Sequence, residues 1–105
     1  MLYIIYQVDN MENSEAIRQA TRPAHLAYLE EHKDILVLGG GMLADEDDTR
    51  VGSVLLINVP NRAAAERFSA NEPFRKAGLF ERVEITRMRR GQWNPGAAPG
   101  SAEGD

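Results

Sequence analysis

The sequence predicts an α+β domain: a four-stranded antiparallel sheet with two helices on one face, in the order β-α-β-β-α-β. Three observations predict it. Runs rich in β-branched and aromatic side chains open the chain and recur at residues 35–38, 52–59 and 79–89. Between the first and second runs, and between the third and fourth, apolar residues recur at helical spacing. The second and third runs are separated by a short acidic turn, which makes them antiparallel hairpin partners. That element order is the split βαβ, or ferredoxin-like, arrangement.

The first run, Leu2 to Asp9, shows little alternation, so the strand is expected to be central or covered on both faces. Asn13 or Ser14 then caps a helix running to about Lys33, with Glu15 favourable in its first turn. Ile17, Ala20, Ala24, Tyr28 and Leu29 form its apolar stripe, extended by Leu26. Pro23 removes a backbone donor and crowds the preceding turn, so a kink or a fresh start capped by Thr21 is expected there. Ile35 to Leu38 is the second strand, and it runs into Gly39-Gly40-Gly41. Such a run suits positive φ or close approach to a ligand. It is no phosphate loop, because no Lys-Ser/Thr follows and no helix opens after it. Met42 to Ala44 continues the strand past a bulge.

Asp45 to Asp48 is a solvated acidic turn, lacking the glycine and terminal glutamate of a calcium loop. Gly52 to Val59 is the third strand, stopped by Pro60. Asn61 caps the second helix, whose stripe is Ala63, Ala64, Phe68 and the stem of Arg67. That helix ends near Asn71, since Glu72 precedes Pro73. Phe74 to Ala77 adds one helical turn closed by Gly78. Leu79 to about Arg89 is the last strand, setting Phe80, Val83, Ile85 and Met88 against charged neighbours.

At 105 residues, 43% hydrophobic and 27% charged, the chain makes one domain with a modest core. Its net charge of −4 gives no general attraction to nucleic acid or acidic membranes, despite the small cluster Arg87, Arg89 and Arg90. The lack of cysteine excludes disulfides, thiolate metal sites and cysteine nucleophiles. No apolar run approaches the ~20 residues that span a bilayer. The first residues read as a strand and not a leader, so a cytoplasmic protein is expected. From Gly91 onward the chain turns to Gly, Pro, Ala, Ser and acids, with Trp93 its one large apolar group. Such a tail buries too little surface to offset its ordering entropy and is expected to be mobile, with Trp93 free to dock on a second subunit. Because the strands carry apolar residues on both faces, a second copy is expected to cover the open face, giving a homodimer or higher homo-oligomer.

Arg22 and His25 are three apart on the first helix, so they share a face. Each alone reads as an ordinary residue, a solvated charge and a surface or core histidine. His32 reads as an exposed helix-end residue suited to the dipole. Seven residues separate His25 from His32, roughly 10 Å along the axis, so a shared metal ion is not expected.

Residue order adds more. The strand Leu2-Tyr3-Ile4-Ile5-Tyr6 ending in Asp9, then Arg22-Pro23-Ala24-His25-Leu26, the glycines 39–41, Gly52-Ser53, and Glu72-Pro73-Phe74 leading to Ala77-Gly78-Leu79-Phe80 and Val83 follow in turn. In these the sequence resembles the YCII-related (YciI-like) family of small dimeric α+β-barrel proteins, over about residues 1–90. The resemblance implies a YCII-like domain at 1–90 with a flexible tail at 91–105. It also implies a pocket between sheet and first helix that holds a His–carboxylate acid/base pair. His25 falls on the family's histidine, and Glu72 on its aspartate, one methylene longer. Phe74, following Pro73, falls on the family's aromatic and is expected to contact substrate.

With His25 and Glu72 as the catalytic pair, Arg22 would bind a carboxylate or phenolate and Ser53 would donate to a substrate oxygen. Backbone N–H groups near Gly40 and Gly41 would steady developing negative charge. By analogy with the family, the reading is a cofactor-free enzyme doing lyase, isomerase or dehalogenase-like chemistry on a small oxygenated or aromatic compound. The alternative is a non-catalytic module that binds a small molecule, or an interaction module using the basic strand end and Trp93.

Overall fold

The computed structural model describes residues 1–98 and 100–104, so Pro99 and Asp105 of the expected tail lie outside it. Strands β1 (Leu2–Asp9), β2 (Leu36–Leu43), β3 (Arg50–Asn58) and β4 (Phe80–Met88) alternate with helices α1 (Ser14–Glu31), α2 (Arg62–Ala70) and α3 (Pro73–Lys76). One sheet results, ordered β2-β3-β1-β4 and antiparallel throughout. This is the ferredoxin-like α+β architecture read from the element order.

β1 is central, which accounts for its unbroken apolar run. Tyr3, Ile5, Gln7 and Asp9 are buried against the helices, while Leu2, Ile4 and Val8 are half-buried on the other face. Tyr3 and Ile5 join Leu55, Ile57 and Val59 with Ala65 and Phe68 of α2 in the main core. Opposite them, Ile4 pairs with Leu56 and Tyr6 with Val54. Tyr6 and Leu38 of that uncovered face are 38% and 66% exposed.

α1 runs unbroken through Pro23, and Thr21 is an interior residue, not a cap. Pro23 is exposed, so its missing donor faces no buried acceptor that water cannot reach. The buried face also differs from the apolar stripe. Ala20, Ala24 and Leu26 are exposed, while Ile17, Arg18, Thr21, His25, Tyr28 and Leu29 turn inward. Asn13 holds the N-cap position without a side-chain bond, and buried Ser14 donates to the Met11 sulfur. At the other end His32 is half-buried, not exposed: its Nδ1 lies 2.9 Å from the Tyr28 carbonyl and its ring meets Tyr28 and Phe68.

The glycine run is a strand and none of its members has positive φ, contrary to one expectation. Close approach of neighbouring side chains favours glycine at Gly39 and Gly41, whereas a Cβ at Gly40 would meet nothing. A Cβ at Gly39 would lie 2.7 Å from the Leu55 side chain. The strand runs straight through the glycines and ends at Leu43, and its register shifts lie at Leu36/Leu38 and Met42/Leu43, not ahead of Met42 as expected. In α2, Asn61 caps as expected, its Oδ1 accepting the Ala64 N–H at 2.9 Å. The buried stripe is Ala65, Phe68 and Ser69, whereas Ala63 and Arg67 are exposed. Gly78, at φ 80°, ends α3 in the left-handed region that favours glycine. A register shift where β4 meets Asp9 pairs Val8 with Arg82 and Asp9 with Phe80. The extra residue lets Phe80 and Val83, an odd three apart, both turn toward the helices. Trp93 is exposed, with the Arg90 guanidinium 5.0 Å above its ring. Among the described residues, no helix is long and apolar enough to cross a membrane.

Candidate functional site

Glu72 occupies the turn between α2 and α3, and its position before Pro73 holds it in the extended region, at φ −69° and ψ 129°. From there its side chain curls back to cap α3. Oε1 accepts the Phe74 N–H and Oε2 the Arg75 N–H, each at 3.2 Å. Oε1 also lies 2.5 Å from Nδ1 of His25, and Glu72 is only 1% exposed. An ionised carboxylate only accepts, so Nδ1 carries the proton and Nε2 is left for other chemistry. The longer glutamate arm thus reaches His25 while capping a helix.

Phe74 fixes the plane of the imidazole. The two rings stack at 3.9 Å, only 14° from parallel. The Arg18 guanidinium lies 5.1 Å from the Phe74 centroid and pairs with Asp9 at 2.6 Å. Asp9 is fully buried, and its second oxygen, Oδ1, accepts no hydrogen bond from the described residues. Two residues earlier on the same face of β1, Gln7 donates from Nε2 to Ser53 Oγ at 2.7 Å. This polar end of the sheet underlies a hollow of about 210 Å³. Its walls include Arg18, Arg22, His25, Ser53, Arg50 and Phe74, with Gly39 to Gly41 along the β2 side.

The structure therefore gathers every residue singled out in the sequence. His25, Arg22, Ser53, Phe74, Gly40 and Gly41 line one hollow, and Glu72 sits behind the imidazole. Sequence reasoning missed Gln7, Asp9, Arg18 and Arg50. Arg18 carried a readable signal, since residues 18, 22 and 25 follow the i, i+4, i+7 pattern of one helix face. Asp9 read only as a strand terminator. Nearby, the Tyr28 phenol donates to the Phe68 carbonyl at 2.8 Å. Its pKa is pushed above the usual tyrosine range by burial first, and then by the negative charges of Glu72 and Glu31. On the exposed β2–β3 turn, hydrogen bonds from Thr49 hold the Asp47 carboxyl below its usual range.

The arrangement can move a proton at Nε2 of an oriented imidazole, next to cations able to hold a negative substrate. The model of the YCII-related domain matches residues 1–89, nearly the whole folded part. The chain belongs to the YCII-related family. Within that family, protein YciI of Escherichia coli O6:H1 is 32% identical over 92 residues, which span 81% of this chain and 93% of that protein. A solved structure, the 5-chloro-2-hydroxyhydroquinone dehydrochlorinase TftG from Burkholderia phenoliruptrix in complex with 2,5-dihydroxybenzoquinone, superposes with a TM-score of 0.80. It is 34% identical, and the match covers 87% of this YCII-related chain and 96% of TftG. PA3566 from Pseudomonas aeruginosa shares the fold alone, at 18% identity and a TM-score of 0.51 over 87% of this chain and 93% of that one. The architecture shared with both structures is the ferredoxin-like α+β sheet with its helices on one face.

Proposed function

We propose that this chain is an acid/base enzyme that eliminates HX from a small hydroxylated aromatic compound and needs no cofactor to do so. The observation that carries the reading is the His25–Glu72 hydrogen bond on the wall of a hollow sized for one ring. Likeness to a dehydrochlorinase bound to a dihydroxybenzoquinone supports it. In the proposed step, protonated His25 gives its Nε2 proton to the ring carbon bearing X as a neighbouring hydroxyl loses its own to solvent. X then departs as an anion with the electron pair of the C–X bond. A second hydroxyl returns a proton to His25 and becomes a carbonyl. The ring reaches the quinone level while the C–X carbon becomes C–H, so HX is the net loss and no outside electron carrier enters.

Glu72 fixes the tautomer and plane of His25 throughout. Arg22 holds a ring oxyanion, Ser53 donates to a substrate oxygen, and Phe74 forms an apolar wall. N–H groups near Gly40 and Gly41 face developing charge on the oxyanion. Incubation with a panel of chlorinated hydroquinones should release chloride, read by ion chromatography, with quinone absorbance rising in step. In His25→Gln, turnover should fall by about 10²–10⁴-fold with ligand affinity retained. Turnover unchanged in that variant would end the catalytic reading. Ligand bound but never consumed by the native chain would favour a binding module instead.

The uncovered sheet face belongs to the same proposal, with a second copy of the chain as its occupant. Tyr6, Leu38, Ile4 and Leu56 offer a continuous apolar patch, as a paired α+β barrel requires. Sedimentation should show a dimer, and Leu38→Glu should convert it to monomer. A native chain that sediments as a monomer at high concentration would remove this part.

A further inference from the structure

The hollow contains more positive charge than a proton-transferring pair requires. Three arginines line it, and they are not equivalent. Arg18 is already neutralised by Asp9. Among the described residues, neither Arg22 nor Arg50 forms an ion pair. Arg50, the first residue of β3, is also seated in a particular way. A Cβ at Gly41 would lie 2.9 Å from its Cδ and 3.0 Å from both Nε and Nη1. The absent side chain at Gly41 is therefore the bed on which the Arg50 guanidinium lies, turned across β2 into the hollow. Arg22 and Arg50 also edge an adjoining open groove, where Asp47 and Asp48 of the β2–β3 turn and Glu12 and Glu15 near the start of α1 bring carboxylates to the outer side of the hollow. Within the hollow the other walls include Leu26, Leu29, Leu55 and Phe74, which screen charge poorly.

Arg22 and Arg50 are solvent-exposed guanidinium groups, each without an ion pair among the described residues, on the rim of one small, partly apolar hollow, and together they make its mouth attractive to an anion. A planar fork suits paired oxygens, those of a carboxylate or of an ionised hydroxyl beside a carbonyl. We infer that Arg50, bedded on Gly41, acts with Arg22 to select the charge of the ligand, and that the ring compound taken by the hollow carries a full negative charge at neutral pH. Arg50 thus determines specificity, and Gly41 positions it. The inference rests on reading the hollow as the substrate pocket, and it names the class of substrate.

Calorimetric titration of the full chain with three probes tests it. Hydroquinone is neutral, 2,5-dihydroxybenzoate carries a carboxylate, and 2,5-dihydroxybenzoquinone is a vinylogous acid ionised at neutral pH. At least one anionic probe should bind about tenfold or more tightly than hydroquinone, with a preference that shrinks as salt is raised. Tight binding of the benzoate alone assigns the charge to a carboxylate, and of the quinone alone to an ionised hydroxyl. Arg50→Gln should abolish the preference, weakening binding of the anionic probe by about tenfold more than that of hydroquinone, and Arg50→Lys should restore part of it. Gly41→Ala, with Arg50 intact but displaced, should lose selectivity too, with circular dichroism reporting the fold. Equal affinity for neutral and anionic rings, no binding of either anion, or a preference that survives Arg50→Gln would overturn the inference. Anion-selective binding without halide release would leave it standing and remove the elimination chemistry. Halide release from neutral rings bound as tightly as anionic ones would do the reverse.

Discussion

The helix-covered face of the sheet has two halves, and a single strand passes through both. At one end of β1, Tyr3 and Ile5 enter an apolar core with Ile57, Val59 and Phe68. At the other, Gln7 and Asp9 are as deeply buried but meet Ser53 and Arg18. β3 makes the same change, from Ile57 and Leu55 to Ser53. The apolar half gains from every atom removed from water, roughly 25 cal/mol per Å². In the polar half, desolvation of the charges offsets most of what their pairing returns. Two buried oxygens there, Gln7 Oε1 and Asp9 Oδ1, accept no hydrogen bond from the described residues. The difference teaches where the domain gets its stability and where it gives some up. The apolar half supports the fold, and the polar half holds charged groups in fixed positions beneath a hollow.

Substitutions in the two halves should therefore fail in different ways. Phe68→Ala opens a cavity in the apolar half and should destabilise the protein by about 3–5 kcal/mol, read by urea unfolding. A loss below ~1 kcal/mol would mean that this core is loosely packed. Asp9→Ala should be nearly as damaging, about 3 kcal/mol, because it leaves the Arg18 charge largely buried and unpaired. The double variant Asp9→Leu/Arg18→Met sharpens the contrast: removing both charges should return stability to about the native level, within ~1 kcal/mol. If the double variant is as unstable as Asp9→Ala, the ion pair contributes to the fold much as the core does, and the division between halves disappears.

How much of this was legible in the sequence follows the same division. Element order, the Asn61 cap and the extra turn before Gly78 depend on local chemistry, and local patterns revealed them. The inward face of α1 was legible only in part: Ile17, Tyr28 and Leu29 of the expected stripe turn inward. Its other members, Ala20, Ala24 and Leu26, point to water, because the sheet beneath the site end of the helix is polar and takes Arg18 and His25 instead. Nothing local to α1 announces that Gln7, Asp9 and Ser53 lie there. The triple glycine was legible in half: no member has positive φ, but all three line the hollow, and Gly39 and Gly41 leave room for the side chains of Leu55 and Arg50. The His25–Glu72 pairing spans 47 residues, and only family resemblance brought the two together beforehand.

Tyr28 bridges the halves, and its effect is the smallest and most pH-dependent. Its ring packs on Phe68 of the core, its hydroxyl bonds the Phe68 carbonyl, and the charge of Glu72 acts on it from the site. Burial and the two carboxylates raise its pKa in the folded state above the unfolded value of about 10. Below that value the phenol is neutral in both states and its contribution is fully present. As pH rises past it, the unfolded chain ionises first, so stability falls until the folded phenol also ionises. Tyr28→Phe should cost about 1 kcal/mol at pH 7–9 through the lost hydrogen bond. Above pH ~10 its stability should fall less steeply than that of the native protein, so the two curves approach each other. Denaturant unfolding of both proteins from pH 7 to about 11 measures this, with Tyr3, Tyr6 and the lysines common to each. Parallel curves across that range would mean that neither burial nor the charges of Glu72 and Glu31 raise the Tyr28 phenol in the folded protein.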